Sequence, residues 1–276
     1  MDIFAEIARL RKEGRKAALA TIIQVQGSIP SYESSKILIR DDGSIVGTVG
    51  GGCVEAEVWS AAQEVMREEK PRRLHFNLNA KPEYEDGLIC GGSLDIFVEP
   101  ILATPTAYIF GGGHISLYVS KVASVAGFDV VVVDDRQAFA SPDRFPEASE
   151  THAGPWEEIF PKLKINDHSY LVVVTRGHKG DLTCLRWALG TPARYLGMIG
   201  SKRKLIEIRR VLEGEGVSAE KLERVHSPIG LDIGALTPEE IAVSIVAEMI
   251  AVRRNAVPSV AYSNQKTETR SQNSEF

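Results

Sequence analysis

Apolar residues recur along this chain at two intervals, and the interval changes where the element type changes. Ile3, Phe4, Ile7 and Leu10 fall on one helical face, and Gly14 then ends the helix. "AALATIIQV" (17–25) is rich in β-branched residues and predicts a largely buried strand. "SKILI" and "IVGTV" read as two strands joined through "RDDGS", because Asp42-Gly43 suits a tight hairpin. Helical spacing returns in "VEAEVWSAAQEVMREE" (54–69), and "RRLHFNL" and "SLDIFVEPIL" predict two more strands. Residues 1–102 are therefore expected to form a mixed α+β domain, closed by a short linker, "ATPT".

The pattern then alternates regularly. "AYIF" is a short apolar strand, "GGGHIS" a glycine turn, "LYVSKVASVAG" a helix and "FDVVVVDD" a buried strand ending in two carboxylates. "SYLVVVT", a helix near "LTCLRWAL", the strand "RYLGMIG" and the helix "KRKLIEIRRVLEGEG" follow. Strands alternating with helices indicate parallel βαβ units, so residues 106–257 are expected to form a Rossmann-like, doubly wound parallel-sheet domain of α/β class. Thr237-Pro238-Glu239-Glu240 spells a complete helix start, with Thr237 as N-cap, Pro238 at the first helical position and Glu240 placed to close a capping box. Residues 258–276 are polar and aperiodic and read as a tail.

Composition narrows the classes without naming one. The chain has 276 residues and a formal net charge of -5, with no basic footprint for nucleic acid. No apolar run approaches the ~20 residues of a membrane helix, and "MDIFAEIARLRKEGRK" lacks the apolar segment of a signal peptide. Three cysteines do not make a disulfide framework. A cytoplasmic protein with free thiols is expected, in a two-fold homodimer as the commonest soluble assembly.

The glycine turn of the second region carries the first chemistry. Gly111-x-Gly113-x-x-Ser116 follows a strand, opens a helix and meets Asp134 and Asp135 at the distance a dinucleotide fingerprint expects. Gly111 would permit the sharp turn and Gly113 the approach of a pyrophosphate to backbone, while Asp134 would accept from a ribose diol. An acid here favours NAD over NADP, and Arg136 blurs that choice, so NAD(P) is the nucleotide this pattern suggests. His114 would line the site. Two further loops, "TRGHKGD" (175–181) and "GSKRK" (200–204), are expected at strand C-terminal ends, where Arg176, His178, Asp181, Lys202 and Arg203 could surround an anion. A doubly wound domain with a tight turn and no nucleotide is the plainer reading of the same residues. Asp232, in the glycine-flanked "SPIGLDIGA", is expected to do no more than fix that turn.

"GTVGGGCVE", "CGGSLDIFVEP", "GGGHIS…GFDVVVVDDR", "TRGHKGD", "YLGMIGSKRK" and "PIGLDIGALTPEEIAVSIVAE" together resemble the xanthine dehydrogenase accessory family, XdhC/CoxI, from about residue 15 to 252. The resemblance implies an N-terminal domain bearing the GGC motif and a C-terminal Rossmann-like domain. It implies a factor that binds molybdenum cofactor, protects it while its sulfido ligand is installed, and delivers it to an apo-hydroxylase. The implied partners are xanthine dehydrogenase or a related molybdenum hydroxylase, with a cysteine desulfurase as a further one. One stretch departs from the family: "GSIPSYESSK" lacks the arginine that relatives commonly carry there, leaving Lys36 as the substitute cation.

That resemblance sharpens the reading of the cysteines. Cys53 follows Gly51 and Gly52 at a helix start, and Cys90 precedes Gly91-Gly92. A thiolate is a soft ligand suited to molybdenum, sulfur transfer or disulfide exchange, and the helix dipole favours it at Cys53. The adjoining glycines would leave backbone N–H groups open to a bulky phosphorylated ligand. Gly51, Gly52, Cys53 and Cys90 are thus cofactor-binding candidates, with Cys53 the reactive thiol and candidate molybdenum ligand. Neither has the CxxC or histidine spacing of a zinc site, and small buried cysteines beside tight turns remain the alternative. Cys184, among Leu182, Leu185 and Trp187, reads as core. A cofactor chaperone accounts for both regions. An NAD(P)-dependent oxidoreductase, or one component of a xanthine dehydrogenase complex, accounts for the fingerprint alone, and a thiol–disulfide or persulfide carrier for the cysteines alone.

Overall fold

A computed structural model describes residues 2–27, 32–78 and 92–256, which divide into two compact units, 1–104 and 105–276. In the first unit, helix α1 (Ile3–Lys12) starts at Asp2, whose side chain accepts from the Phe4 N–H at 2.9 Å. Strands β1 (Ala17–Gly27), β2 (Lys36–Arg40), β3 (Ile45–Gly47), β4 (Arg72–Asn77) and β5 (Gly92–Ile101) form one sheet in the order β3-β2-β1-β5-β4, every neighbouring pair antiparallel. Strand alternation sorts β1 onto two faces. Ala18, Ala20 and Ile22 pack under helix α2 (Gly52–Glu68) against its Val54, Val58, Ala62 and Val65. Ala17 and Leu19 join Leu38 and the α1 residue Leu10 in a second, smaller cluster. The expected hairpin joins β2 to β3, with Gly43 at φ +79° and its carbonyl accepting from the Trp59 indole of α2 at 2.9 Å.

The second unit is a parallel sheet, ordered β11-β10-β9-β6-β7-β8. Its strands are β6 (Thr106–Phe110), β7 (Asp129–Asp134), β8 (Glu150–Ala153), β9 (Ser169–Val173), β10 (Tyr195–Met198) and β11 (Val225–His226). The chain builds outward from β6 through β7 to β8, then crosses back and lays β9 on the other side of β6. Strand order therefore reverses between β6 and β9, the switch point of a Rossmann-type sheet. Alternation again feeds two cores. Ala107, Ile109, Val130 and Val132 pack beneath helices α3 (His114–Val125) and α8 (Pro238–Arg253). Tyr108, Phe110, Val131 and Val133 face α4 (Trp156–Ile159), α5 (Gly177–Ala188), α6 (Lys202–Gly214) and α7 (Ala219–Glu223). On this second face Phe160 stacks on Trp187 with ring centroids 4.3 Å apart.

"AYIF" and "FDVVVV" are adjacent parallel strands, as the Rossmann-like expectation requires. Several elements differ from the expectation. The stretch 175–181, read as a loop, is already helical from Gly177, and β8, α4, α7 and β11 carry too few residues to show a period. The polar tail, 258–276, lies outside the described residues. Among the described residues no helix is long and apolar enough to cross a membrane.

The capping box at α8 is complete: Thr237 Oγ1 accepts from the Glu240 N–H at 3.3 Å, and Glu240 accepts from the Thr237 N–H at 3.0 Å. Thr237→Ala should lower unfolding free energy by about 1 kcal/mol, while Thr237→Asn should cost far less. Urea midpoints of the two variants check this, and equal midpoints would contradict it.

Candidate functional site

The C-terminal ends of β6, β7, β9 and β10 carry most of the expected residues. At the end of β6 the chain turns at Gly111, whose φ of +106° suits glycine. A Cβ on Gly111 would lie 2.5 Å from the Val174 carbonyl oxygen, and one on Gly112 would collide with the Phe139 carbonyl. Gly113 differs: its φ of -72° is ordinary, and a Cβ there meets nothing within 4 Å. Packing thus demands glycine at 111 and 112, whereas 113, the N-cap of α3, is the open position. Ser116 is fully buried and its hydroxyl donates to the Gly111 carbonyl, tying helix to strand. His114, the first residue of α3, is exposed.

Asp134 ends β7 and is only 1% exposed. Its Oδ2 accepts from the Gly112 N–H at 2.7 Å and from an Arg136 terminal nitrogen at 3.0 Å. Its Oδ1 accepts from the Arg136 backbone N–H at 2.9 Å and from Arg136 Nε at 2.8 Å. Burial opposes the charge, yet the Arg136 guanidinium and the Gly112 and Arg136 N–H groups hold the carboxyl below the usual carboxylate range. The Arg136 guanidinium lies over the Phe139 ring, 3.5 Å from its centroid. Arg144 completes the enclosure, donating from Nε to the Gly112 carbonyl at 3.1 Å. Phe139 and Arg144 escape sequence reasoning because the fingerprint spacing stops at the acid.

Across the switch point, Arg176 is the N-cap of α5, and it and His178 are exposed. Asp181 is fully buried, accepting from Thr175 Oγ1 at 2.7 Å and paired with the Lys204 ammonium. Lys204 also reaches the Ile199 carbonyl at 3.4 Å. The Arg203 side chain is 90% exposed and pairs with Glu207 at 3.3 Å. The basic run at the start of α6 is therefore divided: Lys204 clamps β10 to α5, and Arg203 stands in solvent. A phase argument finds Lys204, which lies one and two turns before buried Ile208 and Leu212. Asp232 is exposed.

In the first unit, Gly50, Gly51 and Gly52 have φ of +116°, +79° and +63°. This run turns the chain into α2, where Cys53 is the second residue and is exposed. The Glu55 carboxylate folds back onto the turn, accepting from the Val49 and Gly51 N–H groups at 3.1 Å each and from the Thr48 hydroxyl. Part of the expected N–H cradle is thus filled by the chain's own carboxylate, while a Cβ on Gly51 would meet nothing within 4 Å. Lys36 donates to the Ser34 carbonyl at 3.0 Å. Cys90 lies outside the described residues. Cys184 is fully buried on α5, and burial pushes its thiol pKa up. Among the described residues no three His, Cys, Asp or Glu side chains are grouped to hold a metal ion.

The strand order and glycine turn define a Rossmann-type domain joined to an antiparallel unit whose exposed cysteine follows three glycines. The chain belongs to the XdhC and CoxI family: residues 107–249 match the XdhC Rossmann domain and residues 10–77 the XdhC and CoxI family. It is 34% identical over 257 residues to the "Uncharacterized protein YqeB" of Escherichia coli (strain K12), a match covering 93% of this chain and 47% of that protein. The chain thus spans about half the length of that relative. It is 22% identical over 322 residues to a probable xanthine dehydrogenase subunit of Bacillus subtilis (strain 168), covering 89% of this chain and 96% of the other. With the "Molybdenum cofactor insertion chaperone PaoD" of Escherichia coli (strain K12) it shares 23% identity over 269 residues, 87% of this chain and 84% of the other. A crystal structure of a xanthine dehydrogenase from Bacillus halodurans has a related fold, with a TM-score of 0.50 and 23% identity over 95% of this chain and 98% of that one.

Two glycines of the second turn, Gly112 and Gly113, should respond differently to substitution. Gly112→Ala forces a methyl group into the Phe139 carbonyl and should cost about 3 kcal/mol or more, whereas Gly113→Val should cost about 1 kcal/mol through its N-cap position. Urea unfolding of both variants measures the difference. Equal losses would contradict the division between packing and open positions.

Proposed function

We propose that this protein is an accessory factor for a xanthine dehydrogenase-type molybdenum hydroxylase, which binds molybdenum cofactor, supports its sulfuration and delivers it to the apo-enzyme. The observation that carries this reading is Cys53, an exposed thiol behind three glycines in left-handed conformation. Family membership supports the same reading, and so do the names of two relatives, a molybdenum cofactor insertion chaperone and a probable xanthine dehydrogenase subunit. When bound, the cofactor would supply the sulfurated molybdenum centre that the target hydroxylase needs.

This chain's part is to hold and release. Cys53 offers a soft sulfur donor, and its position near the start of α2 places any negative charge where the helix dipole is favourable. Gly51 and Gly52 keep side chains away from the approach to that sulfur, so a bulky ligand meets backbone. Glu55 fixes the turn that aims Cys53 outward, through its bonds to Val49 and Gly51. Cys90 remains a second candidate thiol. The hydroxylase is the recipient, and a cysteine desulfurase would be the sulfur donor.

Two cysteine variants separate this function from packing. Cys53→Ala should leave the thermal midpoint nearly unchanged, because the residue is exposed, and should abolish retention of pterin after co-expression with the cofactor pathway. Cys184→Ala should behave in reverse, losing roughly 1–2 kcal/mol from the core while keeping the pterin. Pterin per protein after oxidative release, measured beside thermal midpoints, decides between them. Normal retention by Cys53→Ala would sink the proposal.

A further inference from the structure

A Rossmann-type sheet with a Gly-x-Gly turn and an acid at the end of its second strand implies a nicotinamide dinucleotide, whose adenosine ribose is read by that acid. The residues present do not fit this role. A ribose diol needs a carboxylate with free acceptor positions facing outward, and Asp134 has neither property. It is 1% exposed, and each of its oxygens already accepts from two donors. The outward donors belong to Arg136, whose fork meets both oxygens and whose planar group is stacked on Phe139. Bidentate charge-assisted bonds of this kind are stronger than hydroxyl-to-carboxylate bonds, so a ribose would have to displace a better partner from a buried charge. Gly112 adds a second obstacle. Its N–H is held by Asp134 and its carbonyl by Arg144, so turning the carboxylate outward would leave that N–H without its acceptor.

We infer that Asp134, the acid a dinucleotide fingerprint reserves for the ribose diol, is here the clasp of the glycine turn, and that with Arg136 it excludes NAD from this domain. The neighbouring acid does not restore the role. Asp135 lies one residue past the end of β7, and its carboxylate is itself drawn to the same guanidinium, 3.5 Å from Arg136 Nε. What the second unit rejects does not depend on whether the proposed role of Cys53 holds.

Exclusion and clasp are tested separately on the full chain. Isothermal titration with NAD and NADH should show no saturable binding up to about 1 mM. Asp134→Asn keeps the shape and removes the charge, and should lower the thermal midpoint by about 5 °C or more in the absence of any ligand. Arg136→Ala should lower it as well, and the double variant should lose less than the sum of the single losses, because the two residues act as one clasp. Saturable binding of either dinucleotide below about 1 mM would overturn the exclusion. An unchanged midpoint in Asp134→Asn, or fully additive losses, would overturn the clasp.

Discussion

At the end of β6 two strands of backbone pass so closely that no side chain fits between them. Gly111 lies against the Val174 carbonyl of the β9–α5 connection, and Gly112 against the carbonyl of Phe139. The second unit depends on this contact. Only with the chain turned so tightly can α3 begin at Gly113 and carry Ser116, Val119 and Ala123 back onto the sheet as buried residues. The same helix packs on α8, so the turn also sets where the last long helix lies. Because Gly111 is pressed against Val174, the β6 turn and the start of α5 are fixed together across the switch point. A close join there is bought with two glycines, whose conformational freedom in the unfolded chain is the cost.

Both units use the same device to stabilise a glycine turn: a carboxylate of the chain accepts the N–H groups that the turn gathers. In the first unit Glu55 binds the N–H groups of Val49 and Gly51, and in the second Asp134 binds that of Gly112. Successive N–H groups in such a turn form an anion-binding concavity, and an internal carboxylate satisfies it without a ligand. The two cases differ in what remains accessible. Glu55 acts from within α2 and leaves Cys53 exposed beside it, whereas Asp134 is locked under Arg136, which is itself stacked on Phe139. The same physical arrangement thus presents a thiol in one turn and closes an acid in the other.

How far this was legible in the sequence follows from the kind of signal each feature leaves. The longer elements showed themselves: β1 and β7 as β-branched apolar runs, α2 and α6 through helical spacing, and α8 through its capping box all stand where expected. Short ones did not, since β11 has two residues and β8 reads "ETHA", which carries no alternation. The start of α5 was hidden by Gly177 and Gly180, poor helix formers that read as loop, although Thr175 and Asp181 hold that first turn in place. At the site, spacing could position Asp134 but not orient it. A fingerprint gives the distance from glycine to acid along the chain, and says nothing about whether the carboxylate faces a ligand or the turn. Arg136, visible two residues later, was the clue, because an adjacent guanidinium competes for the same oxygens.

What the second unit leaves accessible bears on what it could do. The half-buried Lys204 is committed to Asp181, and the cationic groups facing solvent at the strand ends include Arg176 and Arg203 on exposed side chains. Contacts made by such groups are screened and contribute about 0–1 kcal/mol each. An enzyme that must hold a charged substrate through a transition state needs desolvated, preorganised partners, and the buried charges Asp134 and Asp181 are already paired within the chain. A carrier has the opposite requirement. It must release its ligand, and among related complexes affinity is set mostly by the dissociation rate. On the proposed reading of a cofactor carrier, exposed arginines and an exposed thiol in the first unit are groups that a ligand can leave without stripping a buried charge of its partner.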